Sequence, residues 1–263
     1  MLLGVRPTHL LALALSLVAA PVSAQTFDHS VFEELLKKHV VKGMVGYDGF
    51  AESGSFKDYL DGLASADVSK LADKERLAFW INAYNAYTIA LINKHEERAS
   101  IQNINQTAGL IRAKGPWKEP IVKAGGKTYS LDEVENEIIR KQWREPRIHF
   151  ALVCAAMSCP PLRSEAYTGA KLDAQLESQG RLFVLDPARG SRVDVPNATV
   201  YLSKIFDWYK EDFGGSEDAI GRYVAQYHPA SPAKQLLMGG QFKVTYLEYD
   251  WTLNSRYLAH VKK

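Results

Sequence analysis

Residues 73–95 read DKERLAFWINAYNAYTIALINKH, and this stretch decides the fold class. Asp73 opens a helix. Beyond it Leu77, Phe79, Trp80, Ile81, Tyr84, Tyr87, Ile89, Leu91 and Ile92 fall on every side of a 3.6-residue turn, not on one stripe. A helix apolar all round leaves no face for water, so it is expected at the centre of a core. Two amides interrupt it. Asn82 and Asn85 are three apart and share a side with Trp80, Tyr84 and Tyr87 as neighbours. Buried amides need partners. They either clamp the backbone of an adjoining loop or line a binding pocket together with Trp80 and Tyr84.

Working outward, Asp28 caps a helix to about Val40 with Phe32, Leu35 and Leu36 as its apolar stripe, and Ser53 or Ser55 opens another through Phe56, Tyr59 and Leu63. Gly43 to Phe50 reads as a turn and short strand, and the segment from Ser100 to Pro116 as polar and irregular. Ile121 to Tyr129 reads as a hairpin turning at Gly125-Gly126. Ser130 with Glu133 three residues on is a capping box for a helix to about Lys141. Ile148 to Val153 reads as a strand, followed by a loop stiffened by Pro160-Pro161. Further helices are expected from Lys171, Ser203 and Ser216, with strands near Val193-Val195, Val200-Leu202 and Phe242-Tyr249. Helices dominate the first third, and strands do not alternate regularly with helices. The reading is α+β: one domain, a central buried helix packed on a small mixed or antiparallel sheet, with a papain-like arrangement as one form of it.

The N-terminal segment predicts the compartment. Arg6 precedes an apolar run from Leu10 to Ala20, and Pro21-Val22-Ser23-Ala24 supplies a helix breaker and small residues. This is the pattern of a secretory signal peptide over residues 1–24, with cleavage after Ala24 and a mature chain from Gln25 to Lys263 in the periplasm or outside the cell. The run is too short to cross a bilayer, which takes about 20 apolar residues, so no stable membrane insertion is expected. A net charge of +2 is too small to call for nucleic acid or another polyanionic partner.

The segment Arg147 to Arg163 concentrates the reactive groups: His149 and the chain's two cysteines, Cys154 and Cys159. Two readings stand. In the first, one thiol is a nucleophile, His149 its base, and Glu135 the acid orienting that base, the logic of a Cys-His-Glu relay. Strand parity sets Cys154 on the side opposite His149 unless the strand ends before it, whereas Cys159 is unrestricted. In the second, an oxidising compartment joins Cys154 to Cys159, shaping the loop and contributing only about 2 kcal/mol. Glu135 falls on the apolar stripe of its helix, where an acid needs a partner: His149, or a salt bridge to Arg140, Arg144 or Arg147. No phosphate-binding glycine loop, HExxH or zinc-spaced cysteine set is present, so no cofactor or metal is expected.

Four stretches together resemble the uncharacterised family domain of unknown function 547: Phe79 to Ala86; Ile148 to Cys154 with Ser158 to Leu162; Leu202 to Phe213; and Tyr249 to Asn254. They occur in the family's order over roughly residues 55–254. The resemblance implies a single domain, often secreted in bacteria, with no settled activity. Family members often carry a Glu-His pair where this chain has Glu135-Asn136. Some relatives lack the second cysteine, which favours Cys154 as the indispensable thiol. The functional expectation is a periplasmic thiol-dependent hydrolase or transferase acting on peptide or amide bonds. Its alternative is a non-catalytic binding or assembly protein with a disulfide-locked loop and a small-molecule or peptide ligand.

Overall fold

The computed structural model describes residues 25–106 and 115–257. The expected leader lies outside the described residues, as does part of the irregular segment before Pro116.

The all-round apolar stretch forms helix α4 (Asp73–Lys94), the axis of the larger of two hydrophobic clusters. Around it pack α1 (Ser30–His39), α2 (Tyr47–Ala51) and α3 (Gly54–Ser65), with the short antiparallel pair β1 (Val40–Val41) and β2 (Met44–Val45) between α1 and α2. The stripe of α1 is buried as its spacing requires, and Phe32 stacks on Tyr59 of α3 at 5.0 Å between ring centroids. At the turn between β1 and β2, Gly43 has a φ of +80°, and a Cβ there would stand 2.3 Å from the Cβ of Pro161. Only glycine lets this turn press against the cysteine-bearing loop.

The hairpin β3 (Val122–Ala124) and β4 (Lys127–Tyr129) turns at Gly125-Gly126, both at positive φ, as a two-residue turn matched to strand twist demands. The capping box that follows makes both of its bonds: the Ser130 N–H donates to Glu133 Oε2 at 2.7 Å, and the Glu133 N–H to Ser130 Oγ at 3.2 Å. The helix then widens into a π-helix over Glu133–Ile139 before closing as α5 (Arg140–Gln142).

One element differs in kind from expectation. Residues 148–153 are not a strand; Pro146–Phe150 form a 3-10 helix, capped by the Glu145 side chain accepting from the Arg147 N–H. Proline at the first helical position presets φ and forgoes an N–H that has no partner there. A short apolar run suits a buried strand and a buried helical turn equally, and here the proline and cap prevail. The parity argument separating His149 from Cys154 therefore falls.

The second cluster gathers α6 (Leu172–Val184), α7 (Lys204–Trp208), α8 (Glu217–Ala225) and α9 (Pro232–Gly239) around a three-stranded sheet. In that sheet β5 (Ser191–Asp194) pairs antiparallel with β6 (Thr199–Leu202), which pairs parallel with β7 (Lys243–Tyr246). Phe150 belongs to this cluster, packing on Phe183 at 5.3 Å, while its neighbours Ile148 and Ala151 belong to the first. The sheet is mixed, as one of the expected forms has it. It covers the second cluster, however, whereas α4 packs against β3 of the antiparallel hairpin. The architecture is a mixed helical and β fold with buried helices and small sheets. No helix among the described residues is long and apolar enough to cross a membrane.

Candidate functional site

Where the two clusters meet, a cleft of about 370 Å³ opens. Its floor carries Tyr84 of α4 and His149 of the 3-10 helix, and one wall is the π-helix with Asp132, Glu135 and Asn136 at its start. Single π-turns occur disproportionately at functional sites, because the extra residue re-aims the side chains around it. Here the widened turn brings Glu135 under the cleft, with only 9% of its side chain exposed.

The opposite wall is held in place by the cysteine loop. Cys154 and Cys159 form a disulfide, with their Cα atoms 6.0 Å apart, and no free cysteine remains. Two backbone N–H groups, those of Cys154 and Ala156, point at Cys159 Sγ at 3.1 and 3.4 Å. Between the cysteines Ala155 takes φ +62°, a left-handed conformation costly for a residue with a Cβ, so other contacts must impose it. Asn85 supplies one: its Nδ2 donates to the Ala151 carbonyl and its Oδ1 accepts from the Val153 N–H, both at 2.9 Å. The chain's C-terminal strip supplies the rest. The Met157 N–H donates to the Thr252 carbonyl at 2.8 Å, and the Asn254 N–H to the Ala155 carbonyl at 3.1 Å. This strip delivers Tyr249 and Trp251 to the cleft, where the Tyr249 hydroxyl lies 3.0 Å from Cys154 Sγ.

His149 sits between two acids. Its Nε2 is 2.6 Å from Asp212 Oδ2, and its Nδ1 is 3.9 Å from Glu135 Oε1. The ring lies flat on Tyr209 at 3.9 Å, and the Arg140 guanidinium covers that tyrosine at 5.2 Å. Arg140 grips Asp212 with two bonds, Nε to Oδ2 at 2.6 Å and Nη2 to Oδ1 at 2.9 Å. The hydrogen bond from His149, joined by those from Arg140, holds the Asp212 carboxyl well below the usual carboxylate range. Glu135 is bonded to neither Arg140 nor Arg147; the latter is spent on Glu145. Its polar neighbours are the Tyr84 and Tyr209 hydroxyls. Burial, reinforced by the Glu135 charge, pushes Tyr84, Tyr209 and Tyr249 up, so all three keep their protons and serve as donors.

The structure therefore brings His149, Glu135, Cys154 and Tyr84 to one cleft. The geometry also separates readings that the sequence left side by side. Both sulfurs are bonded to each other, so neither is available as a thiolate in this form. Cys159 is buried behind Cys154. Asn82 and Asn85 clamp backbone, the first of the two uses expected of them, with Asn82 exchanging two bonds with Tyr167 at 2.7 and 2.9 Å. Trp80 packs edge-on against Tyr129 at 5.6 Å and is core. Sequence reasoning assigned no role to Asp212, nor to the cleft tryptophans Trp117, Trp208 and Trp251. Three of these four lie inside the family-like stretches, which was the available signal.

Comparison with known proteins bears on the same segment. Residues 68–184 match the family model described as "Protein of unknown function, DUF547". The matched DUF547 span holds α4, the π-helix, the 3-10 helix and the disulfide loop, and so contains Glu135, His149 and both cysteines. Asp212 and the aromatic wall from Trp208 to Trp251 lie beyond it. No curated protein and no solved structure matches the chain. Among the described residues, no group of three or more His, Cys, Asp or Glu side chains is arranged to hold a metal ion.

Proposed function

We propose that this chain is a non-catalytic ligand-binding protein of the periplasm, in which the DUF547 segment frames an aromatic cleft and the Cys154–Cys159 disulfide fixes one wall. The observation that carries the reading is the disulfide itself, which lies in the cleft wall and removes the only sulfur nucleophiles the chain has. A clamped loop, an aromatic wall and a few convergent polar groups are what a largely pre-formed small-molecule or peptide site requires. Oxidised cysteines and the leader-like pattern of residues 1–24 both support export.

A second reading is a thiol-dependent hydrolase or transferase acting on peptide or amide bonds. One observation favours it: Cys154, His149 and Glu135 line the same cleft. It requires the disulfide to be reduced first, and a papain-like arrangement gains nothing from a sulfur already bonded. The two readings separate in a paired screen of the unreduced protein. Small molecules and short peptides titrated against tryptophan fluorescence are expected to give saturable signals that Trp208→Ala abolishes. The same protein is expected to turn over no chromogenic amide or ester. Turnover that Cys154→Ser abolishes would reverse the order of the two readings.

A further inference from the structure

We infer that the cleft recognises its ligand through an organic cation, an ammonium or guanidinium group of the kind a basic peptide side chain carries. This rests on the binding reading above and names the class of ligand. The first observation is the wall. Trp208 and Trp251 stack at 5.7 Å with 24° between their planes, and Tyr249 lies 4.7 and 4.5 Å from them. Trp208 is 47% exposed, so a large aromatic face is presented to whatever enters. Aromatic faces carry negative partial charge and attract cations, tryptophan most strongly.

The second observation is the floor. Glu135 is buried, and the imidazole of His149 stands beside it with Nδ1 at 3.9 Å, its other nitrogen bonded to Asp212 at 2.6 Å. Arg140 is committed to Asp212 and Asn136. The acid's hydrogen bonds thus come from tyrosine hydroxyls, and the Arg140 guanidinium reaches it only through space. Asp132 adds a second carboxylate to the lining, and the one lining ammonium, Lys118, is exposed. An occupant that fills the cleft strips water from Glu135, and burying a carboxylate without a directly bonded counter-charge is expensive. A neutral occupant would leave that cost standing; a cation removes it. This separates an organic cation from a neutral glycan, which would also stack on the tryptophans.

The experiment titrates the oxidised protein by tryptophan fluorescence with four probes: choline, its uncharged carbon analogue 3,3-dimethyl-1-butanol, trilysine and chitotriose. Choline and trilysine are expected to bind, with the carbon analogue at least about ten-fold weaker. Glu135→Gln is expected to weaken choline by about ten-fold or more, and Trp208→Ala, at an exposed position where the fold is not at risk, to weaken both cations. Far-ultraviolet circular dichroism of each variant checks that it is folded. Equal binding of choline and its carbon analogue, or no effect of Glu135→Gln, overturns the cation inference while the cleft stands as a binding site. Binding of chitotriose alone, lost in Trp208→Ala, overturns it in favour of a neutral glycan. Silence with all four probes overturns the inference and counts against the cleft reading as well.

Discussion

Asn85→Ala is expected to be among the most damaging single truncations outside the aromatic core. The side chain is 3% exposed and holds the backbone on either side of Leu152: Nδ2 donates to the Ala151 carbonyl, and Oδ1 accepts from the Val153 N–H. Ala151 and Val153 are themselves 1% and 4% exposed, so solvent does not stand in for the lost amide. Each buried group left without a partner costs about 1–3 kcal/mol, which makes about 2–6 kcal/mol for the pair. Alanine's better helix propensity returns at most about 0.7 kcal/mol. The net expectation is a loss of about 1–5 kcal/mol. Asn85→Asp is not expected to rescue it, because it keeps the acceptor for Val153 but sets oxygen against the Ala151 carbonyl. Urea unfolding of the oxidised protein, followed by tryptophan fluorescence and circular dichroism, reads the loss as a shift in midpoint at constant slope. A loss under about 1 kcal/mol would mean that the amide does not hold the loop, and that the strained Ala155 is imposed by something else.

Trp80→Ala should lower unfolding free energy by about 3–5 kcal/mol in the same assay, since it deletes a core side chain packed on Phe79 and Tyr129. Asp212 is expected to make stability sensitive to acid. Its folded pKa lies below its unfolded one, so the stabilisation is complete above the ordinary carboxylate range near pH 4 and fades as pH falls toward the depressed folded value. Asp212→Asn should flatten that decline when urea midpoints at pH 5 and pH 3 are compared; an unchanged decline would remove Asp212 as its source.

What the sequence reveals and conceals follows from range. Helix α4 is legible because its burial is written in one contiguous stretch, and the capping box because its two bonds join residues three apart. Helix α9 carries its signals locally: Ser231 caps it through the Lys234 N–H, Pro232 stands at its first turn, and Gly240 ends it at positive φ. The strand expected over residues 148–153 failed because periodicity cannot discriminate in so short an apolar run. The candidate site was half legible for a different reason. Cys154, Cys159 and His149 lie within one segment, but Asp212 is 63 residues from the histidine it binds. Tyr249 lies 95 residues from the sulfur it touches. Such pairings are set by how the two clusters meet, and no local spacing encodes them.

Thiol titration of the unreduced protein, first native and then denatured, decides whether the cleft wall is a disulfide-locked surface or a masked nucleophile. No free thiol is expected in either state, and the two thiols released by reduction should react with iodoacetamide at ordinary rates that His149→Ala leaves unchanged. A free thiol in the unreduced protein whose alkylation is fast, and slows sharply in His149→Ala, would contradict the account and return Cys154 to the role of nucleophile.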